Sequence, residues 1–190
     1  MTKIDTATTD SRSLGGALQP APARMSCPSL TQVLESQVGG AALAATSGID
    51  SSSRRKGLRA LAVLDSDDTR GLVLAAVSDV SEDAGLRRDL IGEMDWHGSI
   101  QNAVALLAGD ADQSIRVAVI NAVRDSRLDP TEFGLFAQSL VAVAPDESDP
   151  FVQRVILDYF LASDQAWLAS LRDAFLAHGQ SVPPVLEPYL

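Results

Sequence analysis

Glu93-Met94-Asp95-Trp96-His97 is the stretch of this chain with the most varied chemistry. An indole is an amphipathic anchor, an imidazole changes charge near neutral pH, and flanking carboxylates attract cations. The segment therefore reads as a candidate partner-contact edge made of Glu93, Asp95, Trp96 and His97. It reads equally as a helix end, with the indole covering the seam of the core and the imidazole solvated. Other reactive types are thinly spread. The two histidines, His97 and His178, are far apart and no Cys-x-x-Cys occurs, so no metal-ligand spacing is legible. Asp65, Asp67 and Asp68 are close in sequence, but a calcium loop needs more oxygens in register and a glycine at its bend, and solvated helix caps fit them better. The single cysteine, Cys27, sits in a polar, proline-flanked stretch with no readable base beside it. Neither a glycine-rich phosphate loop nor a Gly-x-Ser-x-Gly elbow occurs. The expectation is a chain without catalytic residues, cofactor or metal.

The elements that must position these residues read as helices. Hydrophobic residues make up 46% of the 190 and aromatic ones 5%, so the core must be built mainly from Ala, Val and Leu. Met1 to Ser29 is rich in Ser, Thr, Ala, Gly and Pro and reads as a flexible tail. A helix is possible over 30–45, interrupted by Gly39-Gly40, and Thr46 to Ser53 reads as a linker, giving a flexible segment 1–53 and a helical domain 54–190. From there helices are expected near 55–64, 69–79, 83–94, 98–108, 113–124, 130–143, 149–162 and 164–177, with starters at Asp67 or Asp68, Ser81, Ser99, Asp112, Asp129, Asp149 and Asp164. Asp129 and Asp149 each precede a proline, which places a capping oxygen next to a residue that needs no N–H in the first turn. The closing SVPPVLEPYL cannot continue a helix and reads as a strap over the last helices or a flexible motif.

One apolar pattern recurs. Ile115, Ala118, Val119, Ala122 and Val123 lie on one helical face, and Val152, Val155, Ile156, Tyr159 and Phe160 repeat their spacing, as do Thr69, Leu72, Val73, Ala76 and Val77. An acidic turn precedes each set, and the residue after its first member is Arg116, Gln153 or Arg70. Recurrence at about 40 residues is the signature of stacked helix pairs.

The run D-A-D-Q-S-I-R-V-A-V-I-N-A-V resembles the turn and second helix of a HEAT repeat, as in bacterial HEAT-like proteins. That resemblance implies an all-α superhelix of stacked antiparallel helix pairs, a HEAT-like solenoid. It makes Asp110 or Asp112 the turn aspartate and Arg116 the arginine bridging neighbouring repeats. Arg70 with Asp65 or Asp67 is a shorter match, and Gln153 stands where a third arginine is expected.

Charge narrows the function. The net charge is −10, and Met1 to Lys56 carries six basic against four acidic residues, so the excess of acid lies in the helical part. Such a surface repels phosphate backbones, so neither nucleic acid nor an anionic membrane is an expected partner. A non-enzymatic interaction module is the leading expectation: an adaptor, regulator or immunity-type binder holding a basic or mixed protein partner. A secreted effector with an uncleaved N-terminal signal is an alternative. So is an enzyme, by the resemblance to HEAT-like alkylpurine glycosylases and phycobilin lyases. The absence of disulfide pairing and of a legible signal peptide favours a cytoplasmic setting.

Overall fold

The computed structural model describes residues 40–41, 51–64, 66–164, 166–184 and 186, with the side chains of residues 67 and 68 outside the described set. Among these residues the regular structure is helical: α1 Ser51–Leu64, α2 Asp67–Ser78, α3 Ala84–Glu93, α4 Ile100–Gly109, α5 Gln113–Asp125, α6 Pro130–Val143, α7 Pro150–Ala162 and α8 Ala166–Ala177. No described helix is long and apolar enough to cross a membrane. The expectations for Met1–Ser29 and for most of 30–45 fall outside the described residues. Gly40 is itself helical, and so are Ser51 to Ser53, where a linker was expected.

Short polar turns set the helix starts. Asp129 Oδ1 accepts the N–H groups of Thr131 and Glu132 at 2.7 and 2.9 Å, and the Glu132 carboxylate accepts Asp129 N–H at 3.2 Å, closing a capping box ahead of α6. Asp149 caps α7 in the same way, through Phe151 and Val152 N–H. Asp112 caps α5 through Ser114 N–H at 2.8 Å, and the Ser114 side chain, together with this N–H, holds the Asp112 carboxyl below the usual carboxylate range. The cap of α3 is Asp83 and not Ser81, whose hydroxyl and N–H are instead taken by Asp79.

Helices pack mainly on the helix two ahead. α1 lies on α3, α3 on α5 and α5 on α7; α4 lies on α6 and α6 on α8; and α1–α2, α2–α3, α4–α5 and α7–α8 contacts join the two sets. One continuous core runs through them, from Leu58 and Leu61 through Leu90, Ile115 and Ile156 to Leu171 and Phe175. Leu186, beyond the last helix, is buried in it as well, so the described part of the C-terminal segment straps onto the fold.

The counted face of α5 is buried only in part. Ile115, Val119, Ile120 and Val123 are sealed, whereas Ala118 and Ala122 are half-exposed. With α3 and α7 on its flanks and α4 behind, α5 turns Ser114, Val117, Ala118, Asn121 and Ala122 outward as a strip of small side chains.

Candidate functional site

Two rows of turns carry the polar structure. In the first, Arg116 donates from Nε and Nη2 to Glu147 Oε2 and Oε1 at 2.8 and 2.9 Å, and from Nη1 to the Asp110 carbonyl at 2.8 Å. It thus links its own turn to the turn ahead of α7, and its carboxylate partner is Glu147, not Asp110 or Asp112. The Asp110 carboxylate belongs to Arg87. That arginine donates from Nε to the Val77 carbonyl at 2.7 Å and from Nη2 to Asp110, in a pair whose side chains are 3% and 4% exposed. Asp110 Oδ1 also accepts Asp112 N–H at 2.9 Å, just as Glu147 Oε1 accepts Asp149 N–H at 2.9 Å.

Arg54, Arg87 and Arg116 are each the fourth residue of α1, α3 and α5, and each pairs with an acidic group in the turn before the next helix of the set: Glu82, Asp110 and Glu147. Gln153 occupies the same place in α7 and bonds back to its own turn, through the Glu147 and Ala144 carbonyls at 2.7 and 3.4 Å. The register partners of Arg116 are therefore Arg87 and Arg54. Arg70 is likewise the fourth residue of its helix, but α2 lies outside this set, and Arg70 donates to the His97 carbonyl at 2.8 Å. Asp67 opens α2, with its side chain outside the described set. Alignment on helix starts would have found Arg87; alignment on apolar runs passes it by, because its helix is short and weakly amphipathic.

The second row holds the Glu93–His97 stretch. Trp96 is wholly buried, and its Nε1 donates to the Ile91 carbonyl at 3.1 Å. The indole is therefore core and cannot anchor a partner: α3 ends at Glu93, and the chain turns extended at its C-cap Met94, which brings the ring back under the helix's last turn. Its backbone N–H reaches Ser126 Oγ at 3.1 Å, joining this turn to the one ahead of α6. Glu93, Asp95 and His97 are exposed. His97 Nδ1 lies 2.7 Å from Glu132 Oε2, and Gly98 N–H donates to Glu132 Oε1 at 2.6 Å. Gly98 has a φ of 75°, which favours glycine at this bend. The Glu132 bond raises the His97 pKa above its ordinary value. Partial burial pushes the Glu132 carboxyl upward, but the Gly98 N–H, His97 and Asp129 N–H bonds outweigh it and hold the group low.

His97, Asp129 and Glu132 bring ligand atoms within 4.8 Å of one another, a grouping that could hold a metal ion. Each already has other work. Glu132 oxygens take the cap, the Gly98 N–H and the imidazole, and Asp129 Oδ1 takes two N–H groups. The arrangement is accounted for as a capping box with an ion pair across two turns.

The outward strip of α5 lies beside an open cavity of about 650 Å³ between α3 and α5. It is rimmed by Glu93, Asp95, Asp125 and Arg127 and floored by Ala118 and Asn121. Nearer the start of α5 a second hollow of about 310 Å³, lined by Val117, Arg88 and the 61% exposed Phe151, continues the same face. The site is thus an acid-rimmed end and an apolar end on one helix. Of the residues singled out in the sequence it includes Glu93 and Asp95, while Trp96 lies beneath and His97 around the turn. Asn121, Asp125 and Phe151 carry no sequence signal, because a lone amide in an apolar helix, a carboxylate at a helix end and an aromatic in a first helical turn do not reveal from sequence which face they share.

No protein-family model matches the chain, and neither does any curated protein or solved structure. The fold and site define an all-α protein of mutually packed helices, with paired polar turns and one outward strip of small side chains.

Proposed function

We propose that this chain is a non-enzymatic protein-interaction module of HEAT-like, solenoid type, which holds a basic segment of a partner along the outer strip of α5. The observation that carries this reading is the combined groove: an acid-rimmed cavity and an apolar hollow share one helix face. An amphipathic basic segment could set its charges against Glu93, Asp95 and Asp125 and an apolar side chain near Val117 and Phe151. Packing of α1, α3, α4, α5 and α6 each on the helix two ahead, with an arginine closing successive turns of one set, suits a stack of helix pairs. Adaptor, regulatory and immunity-type roles all use such a surface.

A photo-crosslinking residue placed at Asn121 in the full chain tests it in host lysate at low salt. A specific partner, captured at low salt and released as ionic strength rises, supports the reading. Capture equal to that from a control crosslinker at exposed Leu176, on α8, contradicts it.

A further inference from the structure

Behind the second row of turns, where α5, α6 and α7 meet, lies a second cavity of about 370 Å³, which shares Ser126 with the α5 groove. Its walls are Val123, Leu128, Pro130 and Phe133, and its polar groups include Asp129 and Tyr159. Phe133 stacks on Tyr159 with ring centroids 6.3 Å apart, and Tyr159 meets Phe136 and Phe160 edge-on. Tyr159 is only 2% exposed, yet its hydroxyl has no hydrogen bond among the described residues. Among the described residues no sealed side-chain polar atom lacks a partner, so this hydroxyl keeps some access to solvent, and Tyr159 is one of the residues that line the cavity. Water can meet the phenol there in the free protein, and a polar group of a ligand would take the place of that water. Asp129 adds charge. Its Oδ1 is consumed by the α6 cap, which leaves Oδ2 outside the cap.

We propose that this cavity is an anchor site for an arginine side chain of a polypeptide partner, with the guanidinium against the Phe133 ring between Asp129 Oδ2 and the Tyr159 hydroxyl. The identity of the source as a polypeptide rests on the interaction-module reading above; the chemistry of the pocket does not. The volume, at the small end of the ligand-pocket range, suits a side chain better than a cofactor. Apolar and aromatic walls suit an aliphatic stem and a planar, weakly hydrated head, which favours guanidinium over ammonium. A cation is favoured on balance, because the carboxylates of Asp129 and Glu132 exceed the roughly half charge of the α6 start, even with His97 protonated on Glu132. Burial lifts the Tyr159 pKa to about 12, so at neutral pH the phenol is uncharged and its oxygen can accept from a guanidinium N–H.

Two conservative variants keep the test readable. Asp129→Asn retains a capping oxygen and removes the charge, and Tyr159→Phe retains the aromatic cluster and removes the hydroxyl. A capped Gly-Ser-Arg-Ser-Gly peptide titrated into the full chain should give saturable NMR shifts at Leu128 and Phe133. The citrulline peptide, a neutral isostere, should bind at least about fivefold more weakly, and Asp129→Asn should lose about fivefold to tenfold for the arginine peptide. No saturable shift, equal binding of citrulline, or an unaltered Asp129→Asn would overturn the site. A lysine peptide binding as tightly would overturn the guanidinium assignment, and free arginine binding as tightly would overturn the polypeptide source. Lysate capture separates the two levels of the argument. A partner held equally by wild type and both variants removes the pocket and leaves the module, whereas arginine shifts without any captured partner remove the module and leave the pocket.

Discussion

Arg116 and Glu147 face each other as fork to fork, with two N–H···O bonds of 2.8 and 2.9 Å across the turns that open α5 and α7. The third nitrogen of the guanidinium ties down the Asp110 carbonyl. Arg116→Ala strands a carboxylate that is nearly sealed from water, and should lower unfolding free energy by about 2 to 3 kcal/mol. Arg116→Lys should recover only part, since an ammonium cannot fill both bonds. Urea-unfolding midpoints check both, and a midpoint equal to wild type in Arg116→Ala contradicts the bridge.

The Arg87–Asp110 pair is the more deeply buried of the two, and the rule for such pairs is asymmetric. Arg87→Met leaves the Asp110 charge in the core and should cost about 3 to 5 kcal/mol. Adding Asp110→Asn removes that charge but keeps an oxygen for Asp112 N–H, so the double variant should be more stable than Arg87→Met alone. A double-mutant cycle in chemical denaturant measures the recovery, and strict additivity of the two losses counts against direct coupling.

His97 and Glu132 predict a pH dependence of known sign. The folded pKa of His97 is raised above 6.5, so its contribution is complete below that value and is lost as pH rises through the higher folded value. Glu132 is lowered from 4.5, so its contribution is complete above that value and is lost as pH falls through the lower folded one. The pair therefore stabilises most between the two ordinary values. The melting temperature of wild type minus that of His97→Ala should shrink between about pH 6 and about pH 8.5; a difference that stays flat or grows across that interval argues against the pairing.

Caps at the proline-led helices should show a side-chain signature. Asp149→Ala should cost about 1 kcal/mol and Asp149→Asn only a few tenths, because asparagine keeps the oxygen that accepts Phe151 and Val152 N–H. Thermal melts of the two variants suffice, and equal losses would mean that charge, not capping, matters there.

Trp96 should behave as core. Its fluorescence should resist acrylamide in a Trp167→Phe background, and Trp96→Ala should cost about 3 to 5 kcal/mol. Ready quenching would place the indole at the surface after all.

How much of this was legible depends on how local each feature is. Asp129-Pro130 and Asp149-Pro150 announced α6 and α7 to within a residue, because a cap and a proline act on the N–H groups immediately beside them. Arg116 could be read as a bridge from its turn, but its partner could not, since Glu147 is 31 residues away. Arg87 was missed for a related reason. Written beside Arg88 in a short polar helix it resembles a solvated face, and only the meeting of α2 with the α4–α5 turn reveals a buried acceptor on each side of it.

From the residue order alone came the helical class, the starts of α5, α6 and α7, and the excess of acid in the helical part, all consequences of short-range hydrogen bonding, apolar period and charge. Folding in three dimensions decided which carboxylate each arginine meets, that Trp96 points inward while Asn121 points outward, and that Asp129 and Tyr159 share one cavity. Those outcomes depend on which helix flanks which, and burial and pairing are properties of the whole packed set that no single segment carries.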